Sequence, residues 1–233
     1  RMTPQALLVC PLLGVVVLLL TLWRMDRREQ RVVALAFALH ILAAIALVVY
    51  HEHIYRGGDM LMYAMFGKQI AYVIDANPGR WGLETIKLAL QLDNDLPVEV
   101  VLAGMSTGTM SAVCGLLMYV IGDSLYGVCL LISFFAFWGT VALYRAVRGW
   151  LSAHERRAAM VGLLLVPSVI FWTSGLVKEA LVMGFMGMAV KALVDVLAYR
   201  RFLAVVPLLV GVEGVALTKP YVLVALVVGI GGF

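Results

Sequence analysis

The chain has 233 residues, 63% of them apolar and only 14% charged, with a mean hydropathy of +0.99. Water-soluble domains are about half apolar and about a quarter charged, so this composition excludes an ordinary soluble domain and predicts an integral membrane protein. The formal net charge of +4 is no nucleic-acid signature, because the arginines stand in clusters at the ends of apolar runs rather than along one face.

The first predicted span is Ala6–Trp23. The Arg-rich stretch Arg24, Arg27, Arg28 and Arg31 follows it, and no small-residue cleavage site is present, so it reads as a helix and not as a signal peptide. Arg1 stands before Met2, which predicts a start that is not native. Val32–Tyr50 is the second span. His51 to Pro97 is then the only long polar stretch, with six carboxylates, four Lys or Arg and two of the four histidines. Within it Leu61 to Ile74 is amphipathic and suits a helix lying in the membrane interface. Tyr126–Tyr144, Ala158–Trp172, Leu176–Leu197, Phe202–Leu217 and Tyr221–Phe233 complete the spans. The last is about 20 Å long at ~1.5 Å per residue, against a hydrocarbon core of ~30 Å. It is therefore expected to stop partway, as in a piece of a longer protein.

One further run, Val100 to Ile121, is long enough to cross, yet Gly104, Ser106, Thr107, Gly108, Thr109, Ser111 and Gly115 make it small and polar. If it crossed, the clusters Arg145, Arg148, Arg156, Arg157 and Arg200, Arg201 would lie opposite the first cluster. Short basic loops stay in the cytoplasm, so parity predicts a juxtamembrane or re-entrant segment at 98–122, packed against protein. The expected fold is all-α, a polytopic transmembrane helix bundle. Residues 1–31 form an additional N-terminal helix with a basic cytoplasmic turn, and 32–233 form the bundle. The 51–97 loop, the turn after Trp172 and the turn at Lys219 then share the external side.

Three motifs on that side could carry chemistry. In Arg56-Gly57-Gly58-Asp59, with Tyr63 one helical turn on, the glycines permit a tight turn that holds Asp59 at the membrane surface. Asp59 is either a helix-capping residue or a base. In Pro167-Ser168-Val169-Ile170-Phe171-Trp172-Thr173-Ser174-Gly175-Leu176-Val177-Lys178-Glu179, Thr173 or Ser174 is expected to cap the new helix, and Glu179 suits its positive end. Lys178 is unfavourable there unless it meets an anion or snorkels to headgroups. Glu213 lies about a turn inside its helix and is expected to face protein and pair with Lys219 or Lys178. Lys191 and Asp195, four apart, read as a structural pair.

Metal binding has thin support. His51 and His53 lack further ligands at zinc-like spacing, so no metal ligand is assigned. A divalent cation on Asp59 with Asp93 and Asp95 is conceivable on charge alone. Cys10, Cys114 and Cys129 lie in apolar segments and read as packing residues. No P-loop, dinucleotide-binding glycine pattern or nucleophile elbow occurs.

From Val32 to Glu179 the layout resembles the GT-C superfamily of polyprenyl-phosphate-dependent glycosyltransferases, which includes the bacterial aminoarabinose and protein mannosyl transferases. The likeness rests on the acidic first loop with its nearby Tyr63, the turn Gly122-Asp123-Ser124-Leu125, and a PSxxFWxSGxxKE pattern at Pro167–Glu179 similar to that of bacterial surface-polysaccharide proteins. Two departures are evident: Met60 stands where an acidic partner of Asp59 is common, and the helix Ala6–Trp23 precedes the usual first one. The resemblance implies a multi-pass protein of the bacterial inner membrane that transfers a sugar from a polyprenyl-phosphate donor at the periplasmic face. Asp59 would be the base. Lys178 with Lys68, Lys87 or Lys219 would hold the phosphate, with Tyr63, Glu179 and Glu213 in support. The implied partners are the lipid-linked donor, membrane lipids and other membrane proteins, not nucleic acid. The alternatives are a transporter or flippase using Glu213 and Lys178, or a non-catalytic subunit of a larger membrane complex.

Overall fold

Thr3 starts the first helix. Its hydroxyl accepts from the Ala6 N–H at 3.1 Å, Pro4 supplies a first helical residue with no N–H to satisfy, and an apolar run carries α1 (Pro4–Leu22) onward. Asp26 and Glu29 then form a reciprocal capping box that opens α2 (Arg27–Val49). The computed structural model describes residues 2–231, and among these the regular structure is all helical, with no strand. Arg1 and the last two residues of the predicted span ending at Phe233 lie outside the described residues.

The polar stretch folds into two of the next three helices, α3 (Asp59–Ala76) and α4 (Pro78–Ala89), and α5 (Ser106–Ile121) follows after a run of turns. α3 buries Met60, Tyr63, Phe66, Gly67, Ile70 and Ile74 against α5 and leaves Lys68 and Gln69 exposed, the amphipathic division expected of it. Gly67 and Gly115 let the two backbones meet: a Cβ on Gly67 would fall 2.6 Å from Cys114 Sγ. α6 (Leu125–Val147) is capped by Ser124, which accepts from the Gly127 N–H. The three cysteines are buried and free.

The predicted span Ala158–Trp172 is not one helix. It is divided into α7 (Ala153–Met160), a π-helical turn at Val161–Leu165 and α8 (Pro167–Trp172). Pro167 supplies no N–H and pushes Val166 to φ −67° and ψ 121°, which ends the preceding segment. α9 (Lys178–Leu197), α10 (Val205–Thr218) and α11 (Pro220–Gly231) complete the chain. Among the described residues four helices are long and apolar enough to cross a membrane: Pro4–Leu22, Arg27–Tyr55, Leu125–Trp150 and Lys178–Leu197. Of the other predicted spans, Phe202–Thr218 is apolar but shorter.

The bundle has two chemically distinct ends. At one, Arg145 donates to the carbonyls of Thr21 and Trp23 at 2.9 and 2.5 Å, and so closes the C-terminus of α1. Arg148 reaches Glu29 at 3.2 Å, while Tyr144 donates to the other Glu29 oxygen at 2.5 Å. The Tyr199 hydroxyl packs beside Gly149, which brings the third arginine cluster to the same end. At the opposite end α2, α8 and α10 finish and α9 begins. α5 meets that end twice: Thr107 near its start accepts from Lys178, and the carbonyl of Ile121 at its finish accepts from Thr3 at 2.5 Å.

Candidate functional site

At the end remote from the arginine clusters, the last turn of α2 widens into a π-helical turn, Tyr50–Tyr55, a form often found at functional positions. Arg56 follows in the left-handed region at φ 52°. Gly58, at φ 93°, has a conformation other residues resist, and a Cβ there would also lie 3.0 Å from the Tyr55 ring. The turn is held by His51, whose Nδ1–H donates to the Gly57 carbonyl at 2.8 Å. Asp59 thereby becomes the first residue of α3. It makes no capping hydrogen bond, and instead its Oδ2 accepts from the Tyr63 hydroxyl one turn on, at 3.3 Å. Burial and the adjacent Asp59 charge push the Tyr63 phenol well above its ordinary value, so it remains a neutral donor to that carboxylate.

α9 begins across from Asp59. Val177 precedes it in an extended conformation and no side chain caps it. Thr173 and Ser174, the expected caps, are buried and bond backward instead, to the carbonyls of Val169 and Ile170, both at 2.7 Å. His40 in α2 contacts the Thr173 hydroxyl at 3.1 Å, and the Gly175 N–H donates to Ser133 of α6 at 2.8 Å. These residues fix the turn to the bundle and leave the first turn of α9 without a side-chain cap. Lys178 Nζ lies 3.4 Å from Thr107 Oγ1 and 5.8 Å from the centre of the Tyr63 ring, and forms no ion pair among the described residues. Glu179 pairs with Lys219, which sits at the break between α10 and α11.

Asp59, Tyr63, Lys178, Glu179 and Lys219 all line one cavity of about 680 Å³, together with His51 and an aromatic rim of Tyr50, Tyr55, Phe171, Trp172 and Tyr221. A second, largely apolar groove of about 430 Å³ adjoins it. The two share Trp172, Glu179, Lys219 and Tyr221, and the groove continues along Val169, Val182, Met183, Met186 and Val222. An ionic chamber thus opens into a hydrophobic channel, and the Lys219–Glu179 pair stands on the boundary.

Three predicted site residues lie elsewhere. Lys68 is paired with Asp123 in a separate cavity of about 170 Å³, where the Asp123 hydrogen bond raises its affinity for its proton. Lys87 is 2.7 Å from Glu84 on the same face of α4. Neither lines the cavity that holds Lys178. Glu213 does not turn inward: it is exposed on α10, because Gly211 and Gly214 form the face that packs on α9. Lys219 takes Glu179 in its place. The Lys191–Asp195 pair forms as expected, at 2.5 Å. Asp93 and Asp95 are not in the Asp59 cavity, and no group of three or more His, Cys, Asp or Glu among the described residues could hold a metal.

Comparison with protein-family models, with curated proteins and with solved structures gives no match to this chain. What the site can do follows from its own side chains: a carboxylate with an ordered phenol, an unpaired ammonium at a helix N-terminus, a second ammonium with its counter-ion, and an apolar channel.

Proposed function

We propose that the protein is a membrane glycosyltransferase of the GT-C kind, moving a sugar from a polyprenyl phosphate to an acceptor hydroxyl at the periplasmic face of a bacterial inner membrane. One observation carries this reading: Asp59, Lys178 and Lys219 surround a single cavity that continues into an apolar groove. A lipid phosphate needs both environments at once, cations for its head and hydrocarbon for its tail. The basic clusters gathered at the far end support an external position for the cavity.

In the proposed reaction the acceptor oxygen attacks the anomeric carbon as the bond from that carbon to the phosphate oxygen breaks. The bonding pair leaves with the polyprenyl phosphate, and the acceptor proton passes to Asp59. Tyr63 orients the Asp59 carboxylate. Lys178 and the uncapped N–H groups of α9 stabilise the charge gathering on the phosphate. The tail lies along Val182, Met183 and Met186. In the transport alternative Glu213 and Lys178 would act as intramembrane charge sites; of the two, Lys178 lines the cavity and Glu213 does not.

Transfer of a labelled sugar from a polyprenyl phosphate in proteoliposomes tests the proposal. Asp59→Asn should lower turnover by about 10²–10⁴-fold, and Lys178→Ala by about 10²–10³-fold. Wild-type rates in both variants would remove the mechanism.

A further inference from the structure

Glu213 is exposed on α10 and has no hydrogen bond or ion pair among the described residues. It cannot reach a partner by rotating the helix. A Cβ on Gly211 would lie 2.7 Å from the Ala189 nitrogen and one on Gly214 2.3 Å from the Phe185 ring, so only glycine lets that face pack on α9. The same contacts give its depth. Phe185 follows Lys178 by seven residues, about 10 Å at ~1.5 Å per residue, along a helix of membrane-spanning length. Around Glu213 the surface is apolar: Val206 and Leu209 are 64% and 63% exposed, with Val210 and Val212 beside them. A carboxylate facing hydrocarbon at that depth is costly, and such groups face protein or a partner charge.

We infer that this face of α10 is an interface with a transmembrane helix from outside these 233 residues, and that this helix brings a Lys or Arg to Glu213. A second copy does not fit. A two-fold contact through α10 would set one Glu213 against another, and the exposed face of α1 offers only Leu7, Leu8, Leu12 and their like. Lys191 is already held by Asp195. Charge complementarity therefore calls for a cation from a different helix, because a charge-assisted hydrogen bond is the interaction that offsets desolvation of a carboxylate. The interface is separate from the cavity and does not depend on the proposed reaction.

A photoreactive amino acid at Leu209, with a control at Leu8 on α1, tests this in the cell's own membranes, adducts being identified by mass spectrometry. The Leu209 probe should capture one helix that contains Lys or Arg, and the Leu8 probe only lipid. Glu213→Leu and Glu213→Gln should each reduce the Leu209 adduct by at least about tenfold. Glu213→Lys combined with Glu in place of the captured cation should restore it. Lipid adducts alone from Leu209, capture of a second copy of this chain, or an adduct insensitive to both Glu213 variants would overturn the inference.

Discussion

Individual side chains in this chain do their work through what their neighbours permit. Asp59 is free to accept from Tyr63 because the glycine turn, and not the carboxylate, starts α3. Glu84 illustrates the opposite use of a carboxylate, as a tether. It is buried on α4, bonded to Lys87 and to the Asp95 N–H at 2.9 Å, and these bonds hold its carboxyl below the usual 4.5. A group lowered in the folded state adds stability above its ordinary value and loses it as pH falls through the lowered one. Acidification from neutral through that lowered value should therefore release the Asp95 N–H, seen as a loss of its amide protection factor relative to the slower intrinsic exchange in acid, and Glu84→Ala should lose that protection even at neutral pH. Unchanged protection in both cases would show that the tether is inert. Residues marked by punctuation, such as Asp59 after two glycines or Lys178 after a Trp-Thr-Ser-Gly turn, could be picked out from sequence alone. His40 and Glu29 could not, because each gains its meaning from a partner more than a hundred residues away. A histidine in the middle of an apolar span was the available signal for the first. Thr173 and Ser174 show the converse difficulty: a hydroxyl at a helix junction can cap forward or bond back, and only the packing against α2 and α6 chooses.

Helix contacts depend on small residues to an unusual degree. α6 and α9 touch backbone to backbone at Gly139, Gly184 and Gly187, and a Cβ on Gly187 would fall 1.9 Å from the Gly139 carbonyl oxygen. Gly187→Leu should destabilise the bundle by about 1–3 kcal/mol or separate α6 from α9. Gly82→Ala, at a position with no atom within 4 Å of the added carbon, should be neutral or stabilising by about 0.4–1 kcal/mol. Thermal unfolding in detergent compares the two, and equal stability would refute the contact. Hydropathy located α1, α2, α6 and α9 to within a few residues, because each is a continuous apolar run of spanning length. It failed at Ala158–Trp172, where the apolar count continued through Pro167 but the hydrogen-bond ladder did not.

Across the whole molecule the charges are sorted by end, the arginine clusters at one and the cavity at the other. All three native cysteines are buried, so an introduced thiol reports its own position. Gly57→Cys in the cavity turn should react with a membrane-impermeant maleimide from outside the cell, and His154→Cys, exposed in the first turn of α7, only after permeabilisation. Labelling of both from one side would end the proposed orientation. α5 pairs with α3 through Gly67 and Gly115, a tertiary contact that hydropathy alone does not register.

The Lys219–Glu179 pair has a consequence for anything that reaches the chamber along the hydrophobic channel. Under the proposed function, a phosphate reaching Lys219 would displace Glu179, which is tethered and stays beside it. The incoming negative charge is then left over, so entry past this threshold would depend on a second cation, and Lys178 in the same cavity is the one without a counter-ion among the described residues.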